Sequence, residues 1–317
     1  MRALCLTLLL ALTVSCGGSG GAVIVVGQGW VVLAQLSQAR TENSAAVAGG
    51  RIYVMGGFGS RNTPALDVEC YDPATDMWTT VTQHPAGGVN HAGLVEVGGL
   101  LYLIGGYSGA TFNEIADVRI YDPVTNQWST GTDMPTPRGA LAIAVVSGLI
   151  HVIGGEDSSG ELATHEIYDP VMDQWSTAAP MPTPREHHAA AAVSGLIYVA
   201  AGRVHDPGFR NLGTFEIYDP VMDMWITGPP VPTARSGIAA VAFNGRFYLF
   251  GGEAPSAIFR ENESYDPATG MWTTNEPMPT GRHGIGAAVL GNDIYVVGGG
   301  PSPGFTFSGA NERFTPK

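Results

Sequence analysis

One short motif returns through this chain at a nearly constant interval. Tyr71-Asp72-Pro73, Tyr121-Asp122-Pro123, Tyr168-Asp169-Pro170, Tyr218-Asp219-Pro220 and Tyr265-Asp266-Pro267 share it, and Phe314-Thr315-Pro316 is a degenerate sixth copy. Trp78, Trp128, Trp175, Trp225 and Trp272 each follow the tyrosine of their copy by seven residues. A glycine pair precedes each motif, at Gly56-Gly57, Gly105-Gly106, Gly154-Gly155, Gly251-Gly252 and Gly298-Gly299, with Ala201-Gly202 as the variant. Sixteen residues before each pair stands Arg40, Val89, Arg138, Arg185, Arg235 or Arg282, at steps of 49, 49, 47, 50 and 47. A period of this size means stacked supersecondary units, each burying its apolar face on the next.

Within a unit the punctuation is that of short strands. In the third copy, apolar runs at 140–146 and 149–153 lead to the glycine pair, 163–168 ends at Asp169-Pro170, and 174–177 stops at a Pro-rich segment. Runs this short, bounded by Gly, Pro and Asp, predict antiparallel hairpins rather than helices. The 44 glycines and 22 prolines among 317 residues fit the same reading, and a chain 44% hydrophobic and 14% charged can bury a large core. The set of marks resembles the kelch repeat, in which one repeat makes one four-stranded propeller blade. The resemblance covers 30–316 and implies an all-β, six-bladed kelch-type β-propeller occupying 29–317. The sixth copy lacks a tryptophan strand, and Trp30 precedes the first copy. The N-terminal strand around Trp30 is therefore expected to serve as strand d of the last blade and close the ring. Closure removes strand edges that would otherwise invite aggregation.

The first residues read differently. Arg2, an apolar run at 3–14 and small Ser15 before Cys16 form a secretory signal at 1–15. The run is too short to span a bilayer. Leu12-Thr13-Val14-Ser15-Cys16 resembles a bacterial lipoprotein signal, which implies lipidation of Cys16, with 16–28 as a flexible tether. With Cys5 in the leader and Cys16 acylated, Cys70 alone remains, so no disulfide is expected in the fold. The chain is thus expected to be an exported cell-envelope lipoprotein, at the outer membrane or cell surface, touching the membrane through its anchor only.

Charge excludes some functions. The net charge is −13, and the cations are fourteen arginines and Lys317. Such a chain offers no broad basic footprint for nucleic acid. No nucleophile elbow and no paired zinc spacing occurs, so no catalytic residue, metal or cofactor is assigned. The repeated Trp and Tyr are assigned to packing between blades and the glycine pairs to close backbone approach.

The arginines precede the innermost strand, and in the resembled family this junction and the b–c loops bind ligands. Two readings stay open: Arg40, Arg138, Arg185, Arg235 and Arg282 ring the channel mouth and hold a ligand, or each pairs with a neighbouring carboxylate. The ligand reading adds His187, Glu161 and Arg203 beside them. His91, Glu186, His188, His283, His205 and Glu253 vary between copies in the same region. Asp157, Glu161 and His165 share residue types with an iron-binding kelch spacing, although loop spacing alone does not align them. The leading expectation is a non-catalytic binding or scaffold module for a protein or glycan ligand. The second is an enzyme similar to kelch sugar epimerases or mutarotases.

Overall fold

The structure is a computed structural model that describes residues 24–25, 29–60, 63–85, 87–109, 112–205 and 208–317. The signal expected at 1–15 and the lipidation expected at Cys16 fall outside the described residues. Among the described residues, five antiparallel sheets of four strands and one of five form six blades, each with strands in the order a-b-c-d. In the third blade these are Ala142–Val146, Leu149–Ile153, His165–Asp169 and Gln174–Thr177. The expected first strand starts two residues late because Ala140 has φ of 51° and belongs to the channel mouth. In the sixth blade, Gly286–Leu290, Asp293–Val297 and Asn311–Phe314 are completed by Trp30–Leu33, with Trp30 opposite Phe314.

The sequence explains the local geometry. In blades one to five, strands a and b are joined by two residues with positive φ, such as Ser194-Gly195 (52° and 85°) and Asn244-Gly245 (48° and 72°). Such turns match the right-handed twist of a tight hairpin. Strand a is rich in alanine, as in Ala189–Val193, and alternates between buried and half-buried positions. Small side chains suit the axis, where six such strands converge around a channel of about 500 Å³. Strand b is almost wholly buried between blades.

The repeated aromatics hold each blade to its neighbour. Tyr and Trp lie opposite each other on strands c and d, with ring centroids 5.0 Å apart for Tyr168–Trp175 and 5.1 Å for Tyr218–Trp225. Trp225 Nε1 donates to Ala179 O of the preceding blade at 2.8 Å, and Trp78 Nε1 to Ala34 O at 2.8 Å. Tyr218 donates its hydroxyl to Asp223, and the same carboxylate accepts the Ala179 backbone N–H.

Two rings of backbone hydrogen bonds run around the axis. The second glycine of each pair donates to the carbonyl at the arginine position of the next blade, from Gly57→Val89 and Gly106→Arg138 through to Gly299→Arg40. A Cβ on Gly57 or Gly106 would stand 2.4 Å from a backbone oxygen, so no other residue fits there. The second ring links His91→Glu42, Ala140→His91, His187→Ala140, Gly237→His187 and Gly284→Gly237, and Asn43 N–H returns to Gly284 O. One departure concerns the expected tether. Its residues Ile24–Val25 form a strand on the outer side of Trp30–Leu33, so ordered pairing begins before residue 29.

Candidate functional site

The five arginines are fully buried, with side-chain exposure of 0%. Each pairs with a glutamate of strand c in its own blade: Arg40–Glu69 at 2.6 Å, Arg138–Glu166 at 2.6 Å, Arg185–Glu216 at 2.5 Å, Arg282–Glu312 at 2.6 Å, and Arg235–Glu263. Other N–H groups of these guanidiniums reach backbone carbonyls, as Arg138 does with Gly154 at 2.9 Å and Val152 at 3.0 Å. Blade two shows the logic by exception. Where Arg becomes Val89, the glutamate position becomes Arg119, which turns to Asp117 instead. No guanidinium of the five is exposed at the mouth, and of the two readings the geometry matches the carboxylate pairing.

The mouth is built two residues further on. Glu42, His91, Ala140, His187, Gly237 and Gly284 occupy this position in the six blades, all with φ between 50° and 66°. That left-handed backbone is costly for residues with a Cβ, yet three copies carry Glu or His. Their side chains converge on the axis. His91 Nε2 lies 3.5 Å and His187 Nε2 3.8 Å from Glu42 Oε2, and the two imidazole centroids are 4.9 Å apart. His283 Nε2 approaches the other Glu42 oxygen at 3.8 Å and Glu253 Oε2 at 3.6 Å. Burial pushes the His91 and His187 imidazoles below their ordinary range. Glu42 opposes this for His91, and Arg203 reinforces it for His187. The cavity here measures about 90 Å³.

Around this centre stands a wider set. Arg203 pairs with Glu186 and, at 3.0 Å, with Glu253, and its guanidinium lies 4.7 Å from the Phe209 ring centroid. His205 contacts Glu161 at 3.1 Å. Tyr107 donates to Glu156 at 3.0 Å. Phe58, Phe112 and Phe305 form an aromatic group, with Phe58 5.6 Å from each of the other two. Phe112, Phe209 and Phe305 are 42%, 36% and 53% exposed, so b–c loops of three blades present aromatic rings to solvent.

The profile described as Attractin/LZTR1 beta-propeller matches residues 39–254, more than half of the chain. The chain belongs to the Attractin/LZTR1 beta-propeller family. Its residues 234–279 also match the Kelch motif. Three curated proteins are similar over shorter stretches. Kelch-like protein 35 of Mus musculus is 27% identical over 133 residues, 42% of this chain and 22% of that protein. Kelch-like protein terF of Aspergillus terreus is 30% identical over 138 residues, 40% of this chain and 30% of that protein. Kelch-like protein 28 of Homo sapiens is 31% identical over 94 residues, 26% of this chain and 16% of that protein. The matched stretches thus span less than a third of each relative.

In this beta-propeller, His187 and Arg203 meet at the mouth, with Nη2 to Nε2 at 3.3 Å. Glu161 sits one shell out, on His205. The Asp157, Glu161 and His165 spacing does not assemble. His165 is buried between strands, 3.0 Å from His151, while Glu161 faces the loops. Sequence reading overlooks Glu42. Its signal was its place two residues after Arg40, the position that His91 and His187 hold in their own copies.

Proposed function

We propose that this kelch-repeat propeller is a non-catalytic binding module that presents its b–c loop face to a protein ligand. The observation that carries the reading is the exposure of Phe112, Phe209 and Phe305 around an acidic mouth containing Glu42, Glu186 and Glu253. Exposed aromatics are the residue class that anchors interfaces, and a negative centre selects a partner with a basic protrusion. A glycan is the alternative ligand, because the same rings offer stacking faces for sugars.

The enzymatic reading draws support from one feature, the convergence of carboxylates and imidazoles on the axis. The cavity at that point is about 90 Å³. Sites that enclose small molecules usually span ~300–1,000 Å³. A ligand lying across the face fits this shape better than a sugar enclosed within it.

The test is affinity capture on the full-length chain, followed by titration with the purified partner and, in parallel, a glycan array. Phe112→Ala and Phe305→Ala should each weaken the partner complex by ~2 kcal/mol, about 30-fold. A partner bound equally well by both variants would contradict the assignment of this face. For location, we propose export and a lipid anchor on Cys16, supported by the pattern at 1–16. Labelled palmitate should enter the wild-type chain and not Cys16→Ala. A wild-type chain without label would contradict the anchor.

A further inference from the structure

The hydrogen-bond partners of the mouth histidines decide which nitrogen carries the proton. Asn90 donates its amide N–H groups to Tyr107 O at 3.2 Å and Gly109 O at 3.1 Å, so its Oδ1 faces His91 Nδ1 at 2.6 Å as an acceptor. His91 therefore holds its proton on Nδ1 and turns a bare Nε2 toward Glu42. His187 also turns Nε2 toward Glu42, and because Arg203 Nη2, which can only donate, lies 3.3 Å from that nitrogen, its proton sits on Nδ1, beside the Glu186 carboxylate. His283 repeats the pattern with Nδ1 3.1 Å from Gly300 O and Nε2 toward Glu42 and Glu253. Three imidazole lone pairs thus surround one carboxylate. Among the described residues, the side-chain donor that reaches this group is Arg203 Nη2, 3.3 Å from His187 Nε2. Its charge is already matched by Glu186 and Glu253. Acceptors gathered in this way repel one another unless a cation sits among them.

We propose that Glu42, His91 and His187, with His283 as a fourth donor, bind one zinc-type divalent transition-metal ion on the propeller axis. The spacing suits it. The ligand atoms of Glu42, His91 and His187 lie within 4.8 Å of one another, and the Glu42 oxygen is 3.5 and 3.8 Å from the two nitrogens. A tetrahedral zinc with ligands at 2.0–2.2 Å needs donors roughly 3.3 Å apart, so a small inward movement completes the shell. Imidazole nitrogens select zinc, copper, iron or nickel over magnesium and calcium. Asn90, Glu186 and the Gly300 carbonyl supply the outer contacts that fix ring orientation in such centres. The left-handed backbone at Glu42, His91 and His187 aims the side chains inward, while Ala140, Gly237 and Gly284 keep the other three positions clear. The donors come from blades one, two, four and six, so a bound ion ties the ring across its axis. The proposal stands whether or not the loop face binds a partner.

The test uses the full-length chain, stripped with EDTA, dialysed and titrated with ZnCl₂. Metal analysis should find one equivalent of zinc per chain, and the melting temperature should rise with zinc concentration. Glu42→Gln and His91→Gln should each weaken binding at least tenfold, and Asn90→Ala, which frees the His91 ring, by about 10- to 100-fold. Circular dichroism verifies that each variant is folded. His205→Ala should bind like the wild type, because His205 belongs to the separate Glu156–Glu186–His205 group. A wild-type chain that retains no zinc overturns the proposal. So does stoichiometric binding that survives Glu42→Gln and Asn90→Ala, or binding lost in His205→Ala and kept in the mouth variants.

Discussion

Arg185 and Glu216 are one instance of a pair that the chain builds five times, 2.5 Å apart and removed from water. Removing one partner of a buried ion pair leaves an uncompensated charge, whereas replacing both with apolar groups is often neutral. Arg185→Ala should cost ~3–5 kcal/mol in urea denaturation, and Arg185→Leu with Glu216→Leu should cost less than either single change. A double variant as damaged as the singles would contradict the pairing. The pair was legible in part. Glutamate stands two residues before the motif tyrosine in blades one, three, four and five, and blade two loses both partners together. Glu42 was harder to find. Its place two residues after Arg40 is the one mark it carries, and its neighbours His91 and His187, 49 and 145 residues away, meet it only through the ring.

At the scale of the strand, Trp30–Leu33 carries the closure of blade six. Trp30 is fully buried against Phe314 and Phe250, at centroid distances of 4.9 and 6.1 Å, and its Nε1 donates to Glu276 O at 2.9 Å. Trp30→Ala should cost ~3–5 kcal/mol, more than Trp175→Ala at its half-buried rim position, and deletion of 29–36 should cause aggregation. Unchanged melting and solubility after the deletion would show that blade six closes without this strand. The role of this strand was readable because six tryptophans had to serve six blades. The register of Ile24–Val25 was not, since its pairing depends on an edge that only the closed blade creates.

A second element-scale effect lies in blade three, where strands b and c bury His151 and His165 side by side. Burial lowers His151 to about 4 and His165 to about 3, against an ordinary value of 6.5. Below pH 6.5 the unfolded chain takes up protons that the folded chain refuses, so stability falls as the pH drops toward those folded values. Urea midpoints should decrease steadily across that window, and His151→Phe with His165→Phe should flatten the slope. An equal slope in the double variant would assign the effect elsewhere.

For the whole molecule, repetition and variation divide the work. What recurs from blade to blade, namely the glycine that ends strand b in all six and, in five blades each, the Tyr–Trp pair and the buried Arg–Glu pair, links strands within a blade or one blade to the next. What differs between blades, namely Glu42, His91, His187, His283 and the exposed phenylalanines, gathers at one mouth. The most direct test measures melting temperature and zinc stoichiometry on the full-length chain for Arg235→Ala and His91→Gln. Arg235→Ala should lower the melting temperature of the stripped protein and keep one zinc per chain. His91→Gln should lose zinc affinity and leave the stripped protein's melting temperature close to wild type. If Arg235→Ala loses zinc while remaining folded, or if His91→Gln binds as the wild type does, that division between scaffold and site is contradicted.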